Sequence, residues 1–146
     1  MDAIKLLEAD HEEVEMLFEQ YEAARDDNTK AMTAEQICKC LTVHATIEEE
    51  LFYPHAREVL DQSDQFMLDD AEQEHAEAKE MITKIMTLST GDELDHCVAQ
   101  LKVAIEHHVS DEEDELFPKL EDMGMETMNL GIQMETRKKQ LKSTVK

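Results

Sequence analysis

Glycine and proline are nearly missing from this 146-residue chain, which has three Gly and two Pro. So few breakers, beside abundant Glu, Leu, Met, Ala and Lys, exclude a turn-rich β fold and predict an all-helical protein. Basic residues are also scarce: 14 Lys and Arg stand against 36 Asp and Glu, a net charge of −22. Such a surface repels phosphate, which argues against nucleic-acid binding, and it suits a very soluble protein. No apolar run approaches bilayer-spanning length, so no membrane association is expected. The opening Met1-Asp2-Ala3-Ile4 shows no basic-then-apolar leader. The three cysteines, Cys38, Cys40 and Cys97, are odd in number and lack framework spacing. They read as reduced thiols of a cytoplasmic protein, and Cys38-x-Cys40 as ordinary helix residues.

What the chain does have is a repeat. His44-Ala45-Thr46-Ile47-Glu48-Glu49-Glu50-Leu51-Phe52-Tyr53-Pro54 is echoed by His108-Val109-Ser110-Asp111-Glu112-Glu113-Asp114-Glu115-Leu116-Phe117-Pro118. The two histidines, Glu48 and Glu112, and the two prolines are each 64 positions apart, and so are His11 and His75. Each half therefore offers a His and, 33 positions later, a His-x-x-x-Glu. On a helix, positions i and i+4 share a face. A proline ten residues after the His should kink or end that helix.

Apolar residues recur at steps of three and four, predicting four long helices. The first runs from an Asp2 cap to about Arg25, with Ile4, Leu7, His11, Val14, Phe18 and Tyr21 on its inner seam. The second opens at a Thr33-x-x-Gln36 capping box and carries Ile37, Leu41, His44, Glu48 and Leu51. The third follows Asp61-Gln62-Ser63, with Ser63 or Asp61 as its expected cap and Leu68, Ala71, His75, Ala78, Ile82 and Ile85 inward. After the turn Ser89-Thr90-Gly91, Asp92 is the expected cap of a fourth, bearing Leu94, Val98, Leu101, Ile105, His108 and Glu112. The fold predicted is an all-α, up-down-up-down four-helix bundle over residues 1–122. Residues 123–146 are expected to add a short fifth helix, Glu126 to about Leu141, with Met128, Leu130, Ile132 and Met134 available for packing. The basic tail from Arg137 to Lys146 should fray.

Six ligand-type residues thus fall on core seams: His11, His44, Glu48, His75, His108 and Glu112. A buried carboxylate without a partner is costly, and no Lys or Arg repeats beside these two. A metal supplies the missing positive charge. Four imidazoles and two carboxylates suit a pair of first-row ions, Fe, Zn, Cu or Ni, with carboxylates bridging them. An oxo or hydroxo bridge would leave open positions for a small molecule. Glu49, Glu72 and Glu113 are candidates to orient the imidazoles. His55 and His96 read as surface residues, His107 as one pointing away from His108, and Tyr21 and Tyr53 as core.

These segments, Glu8-Ala9-Asp10-His11-Glu12, His44-x-x-x-Glu48 with Leu51-Phe52-Tyr53-Pro54, Glu74-His75, and His107-His108-x-x-x-Glu112-Glu113 with Glu115-Leu116-Phe117-Pro118, resemble the hemerythrin-like proteins of the HHE cation-binding family. The resemblance implies a hemerythrin-like bundle holding two iron ions in an oxo- or hydroxo-bridged non-haem di-iron centre, with the six residues as ligands. It implies O2, peroxide or nitric oxide as the small ligand, and oxygen binding, sensing or oxidative-stress defence as the role. An enzyme decomposing hydrogen peroxide or reducing nitric oxide, and an iron store or donor, are the alternatives. The oxygen carriers of the family place a second His one turn along the third helix, where this chain has Lys79. They also use His-x-x-x-x-Asp on the fourth, where it has His108-x-x-x-Glu112. Lys79 is a candidate donor near the open position.

Overall fold

Asp2 starts the first helix by accepting from the backbone N–H of Ile4 and Lys5, at 2.8 and 3.2 Å. Those amides have no partner inside a helix, and a short acidic side chain at the cap satisfies them. In the computed structural model, which describes residues 1–144, α1 spans Ala3–Ala23. It is followed by α2, Asp27–Ile47, and α3, Tyr53–Val59. Next come α4, Phe66–Thr87, and α5, Asp92–Asp111. The chain closes with α6, Phe117–Asp122, and α7, Met128–Thr144. No strand occurs among the described residues, and none of their helices is long and apolar enough to cross a membrane.

The bundle is all-α, with α1 packed chiefly on α2 and α4 on α5, and the two pairs meeting through α2–α4 and α1–α5. Two apolar cores result. One gathers Val14, Phe18, Ile37, Leu41, Val98 and Leu101. The other gathers Leu7, Ile47, Phe52, Leu68, Phe117 and Met134. Along α1, His11 lies between Leu7 of one core and Val14 of the other. His75 lies likewise between Ala71 and Ala78. The polar residues of the seams thus form a layer between two dry ones.

Several local expectations need correction. The second helix starts six residues before Thr33, because Asp26 caps it by accepting from the N–H of Thr29 at 2.7 Å. Thr33 is buried inside that helix. Residues 62–64 form a 3₁₀ turn ahead of α4, so neither Asp61 nor Ser63 caps it. Gly91, at φ 143°, occupies the cap position of α5, and Asp92 is its first residue.

Neither proline ends its helix. A π-helical turn, Glu48–Phe52, joins α2 to α3, and its repeat, Glu112–Leu116, joins α5 to α6. The N–H of Tyr53 donates to the carbonyl of Glu48, and that of Phe117 to Glu112. This wider i→i−5 turn accommodates the ring that would clash with an i−4 carbonyl.

The fifth helix starts two residues and ends about three residues later than expected, and of the four residues expected to pack, Leu130 and Met134 do so. Leu130, Gly131, Met134 and Leu141 are buried, whereas Met128 and Ile132 are exposed. Arg137 pairs with Glu50 and Lys138 with Asp10, so residues 137–144 stay helical instead of fraying. Val145 and Lys146 lie outside the described residues. Gly131 lies against the chain's first residues: a Cβ there would sit 2.0 Å from the carbonyl oxygen of Met1.

Candidate metal centre

Four helices each send one imidazole into the central layer: His11 from α1, His44 from α2, His75 from α4 and His108 from α5. All four are buried. Glu48 and Glu112 are 0% and 1% exposed. Each occupies the first residue of a π turn, one helical turn after His44 or His108.

The six candidate residues come together as two back-to-back groups able to hold a metal ion, His11–His44–Glu112 and Glu48–His75–His108. The rings of His11 and His44 lie 4.9 Å apart, and those of His75 and His108 4.8 Å. Each carboxylate reaches both groups. Glu48 Oε1 lies 3.1 Å from His44 Nε2 and 3.0 Å from His75 Nε2. Glu112 lies 3.2 Å from His11 Nε2 through Oε1 and 3.5 Å from His108 Nε2 through Oε2.

Every outward ring nitrogen meets a carboxylate. His11 Nδ1 is 2.7 Å from Glu113 and His44 Nδ1 is 3.0 Å from Asp10. His75 Nδ1 is 2.8 Å from Glu49 and His108 Nδ1 is 2.8 Å from Glu74. An ionised carboxylate only accepts, so each Nδ1 donates, and each Nε2 is left facing the centre as the nitrogen a metal would take by displacing its proton. These four acids also obey the repeat, Asp10 with Glu74 and Glu49 with Glu113, each 64 positions apart.

The electrostatics favour positive charge here. Burial pulls His44 down, but Glu48 and Asp10 outweigh it and hold the imidazolium up at about 10. Burial acts likewise on His108, and Glu112, Glu48 and Glu74 hold it up at about 11. Burial raises Glu112, and the neighbouring charge of Glu48 raises it further. Burial also opposes charge on Glu48, but His44 and the hydrogen bonds around it keep it well below the usual range. Two carboxylates at one dry site repel each other, and cations relieve that repulsion.

The residues fit metal cations on their own geometry. His11 Nε2, His44 Nε2, Glu48 Oε2 and Glu112 Oε1 are buried with no hydrogen-bond partner, a rare condition for interior polar atoms. All four point to ligand chemistry of imidazole and carboxylate type.

Tyr53 does more than fill the core. Its hydroxyl donates to Glu112 Oε2 at 2.6 Å and lies 3.2 Å from His75 Nε2. Burial, with Glu112 and Glu48, holds its pKa well above the ordinary value, so it remains a donor. Among the expected orienting acids, Glu49 and Glu113 serve histidines. Glu72 instead pairs with Arg57 across the surface. Asp10 and Glu74 were missed as orienting acids, and their place in the repeat was the available signal. Lys79 is 57% exposed and its Nζ lies 2.7 Å from Glu49, so it touches the acid that holds His75. His55 and His96 join neither group, and His107 faces Glu74 and Asp111 at the surface.

Above the histidines lies a cavity of about 470 Å³ lined by all four rings and by Val14, Leu17, Leu41, Ile82, Ile105 and Val109. Tyr21, also buried, donates to Asp95 at 2.7 Å well away from the rings. The three cysteines are free thiols.

Comparison with known proteins agrees with this layout. In fold, the chain is similar to a hemerythrin HHE cation-binding domain-containing protein from Mycobacterium kansasii, with a TM-score of 0.81 at 19% identity over 99% of this chain and 89% of that one. In sequence, it is 32% identical over 118 residues to a DNA nickase from Nostoc sp. (strain PCC 7120 / SAG 25.82 / UTEX 2576), a match covering 80% of this chain. The chain spans about a third of that protein's length (33%). The model of the hemerythrin HHE cation-binding domain matches residues 2–120. With a bundle of that fold and two His–Glu groups able to hold metal, the chain belongs to the hemerythrin HHE cation-binding domain family.

Proposed function

We propose that this cation-binding protein is a non-haem di-iron protein that binds O2 or a related small molecule, peroxide or nitric oxide, in oxygen binding, sensing or oxidative-stress defence. His11 and His44 would hold one ion and His75 and His108 the other, with Glu48 and Glu112 shared. The carrying observation is the convergence of four Nε2 atoms whose opposite nitrogens are each fixed by a carboxylate. Two bound irons would supply one-electron redox chemistry toward a small oxidant. The chain's own part is to orient the rings, hold a proton on Tyr53 against Glu112, and surround the open side with apolar walls. Apolar side chains dominate the walls of the cavity at the rings, which suits a small uncharged molecule. Free thiols are in keeping with a reducing cytoplasm.

A second reading, turnover of peroxide or nitric oxide at the same centre, is favoured by Lys79. Where a third imidazole would stand beside His75, this lysine turns out to Glu49, so the His75–His108 group has fewer nitrogens to saturate an ion. DNA nicking, named for a relative of about three times the matched length, does not suit a chain of net charge −22.

The test is the metal content and optical spectrum of aerobically purified protein, followed by O2 or peroxide added to the reduced form. About two irons per chain, with near-ultraviolet bands lost in His44→Ala and His108→Ala, support the reading. A stable new visible band with O2 means binding, whereas bleaching with gas release means peroxide turnover. Colourless protein holding only zinc, or no metal after iron reconstitution, would sink it.

A further inference from the structure

The two halves of the centre are pseudo-symmetric inside but not outside. In the first half, Asp10 holds His44 through Oδ2, and its other oxygen receives the ammonium of Lys138 from α7. In the second half, Glu74 holds His108 through Oε1, and its side chain is 19% exposed against 10% for Asp10. Its other oxygen faces His107 Nε2 at 3.4 Å, and that nitrogen lies 3.3 Å from Asp111 Oδ2. Among the described residues, neither Glu74 nor Asp111 has a Lys or Arg within ion-pair distance. The repeat mates of His107 and Asp111 are Val43 and Ile47, both buried.

We infer that Glu74, His107 and Asp111 form a surface site for a divalent first-row cation, which stands at Glu74 where Lys138 stands at Asp10 and feeds the buried centre. The three offer one imidazole and two carboxylates with ligand atoms within 4.8 Å of one another, a donor set such ions accept. The way inward is built. A small cavity of about 40 Å³ beside the site has Asp70, Glu74, Asp111, Glu115 and Glu112 in its lining, along with the apolar side chains of Phe66, Met67, Ala71 and Leu116. Glu112 is 1% exposed, and its Oε2 lies 3.5 Å from His108 Nε2. A cation on Glu74 is thus one carboxylate from His108 on one side and adjacent to Glu112 on the other. Five carboxylates around one opening concentrate cations there and raise the rate of capture.

This inference rests on the reading above only in that the buried centre takes cations, and the two fail separately. Metal-free full-length protein is titrated with Co2+, and its uptake of limiting Fe2+ is followed without oxygen. The expected wild-type result is tight buried ions plus one weaker surface ion. In His107→Ala and in Asp111→Asn the weaker ion is lost, the tight ions and their spectra are retained, and Fe2+ uptake slows about tenfold. His96→Ala, which removes a distant exposed imidazole, leaves both unchanged. If no tight ions bind, the buried-centre reading fails. Tight ions with no weaker one in wild type, a weaker ion retained in both variants, or unchanged uptake after its loss would each overturn the surface site or its feeding role.

Discussion

The phenol of Tyr53 donates to Glu112 across 2.6 Å, whereas its repeat mate Phe117 has no hydroxyl to offer Glu48. Phe117 instead lies parallel to the ring of His11, with centroids 6.2 Å apart. The two carboxylates are therefore unequal: Glu112 has one oxygen fixed by a neutral donor, while Glu48 Oε2 has none.

Removing that donor should be felt twice. Tyr53→Phe strands a buried carboxylate oxygen, and a lost partner of this kind costs about 1–3 kcal/mol. The variant should melt earlier than wild type, and the metal-loaded form should change its near-ultraviolet spectrum. Identical spectra and melting would show that the hydroxyl is idle.

The acids behind the rings are predicted to set metal affinity. Glu113→Gln and Glu49→Gln keep the shape but weaken the grip on His11 and His75. Chelator competition should show metal bound about 10–100-fold less tightly. Glu72→Gln touches only the Arg57 pair and should leave affinity unchanged.

Asp2 gives a pH dependence. Burial pushes its carboxyl up, but the Thr127 hydroxyl and the N–H groups of Lys5 and Ile4 outweigh it and hold it below the ordinary 3.8. A depressed folded value means that the stabilisation is present above 3.8 and lost as pH falls through the lower value. Asp2→Ala should cost about 1 kcal/mol near neutrality. Denaturant midpoints of the two proteins should converge in acid, and a gap that persisted or widened there would contradict the assignment.

Gly131→Ala sets two effects against each other. Alanine favours a helix by about 1 kcal/mol over glycine. Here its Cβ would fall 2.0 Å from Met1 O and 2.9 Å from Ala3 N, backbone atoms that cannot turn aside. Overpacking of this kind costs about 1–3 kcal/mol, so the variant should be less stable by denaturant titration. A gain in stability would mean that α7 does not pack on the first residues as described.

The seams of α1, α2, α4 and α5 could be read from the chain because helical periodicity is local, and the repeat marked which seam residues were unusual. Asp10 and Glu74 were harder. Each stands beside a seam histidine in sequence but serves a histidine on another helix, a pairing that exists only after packing. Helix ends followed the same division. Asp26 outcompeted the Thr33 box through one side-chain bond, and Ile132 looked apolar enough to bury although α7 turns Gly131 inward. The outcome at the prolines depended on a turn type that no periodicity announces.

Those π turns have a consequence for how the site tolerates length changes. Each is a phase slip of one residue in an otherwise regular coil, placed between a candidate ligand and the aromatic that follows it. Deleting a residue from Glu49–Phe52 would close the segment to ordinary i→i−4 bonding and press the Pro54 ring against a carbonyl one turn back. Relieving that clash would move the backbone that carries Tyr53 and its bond to Glu112, so the number of residues between Glu48 and Tyr53 matters here as much as their identity.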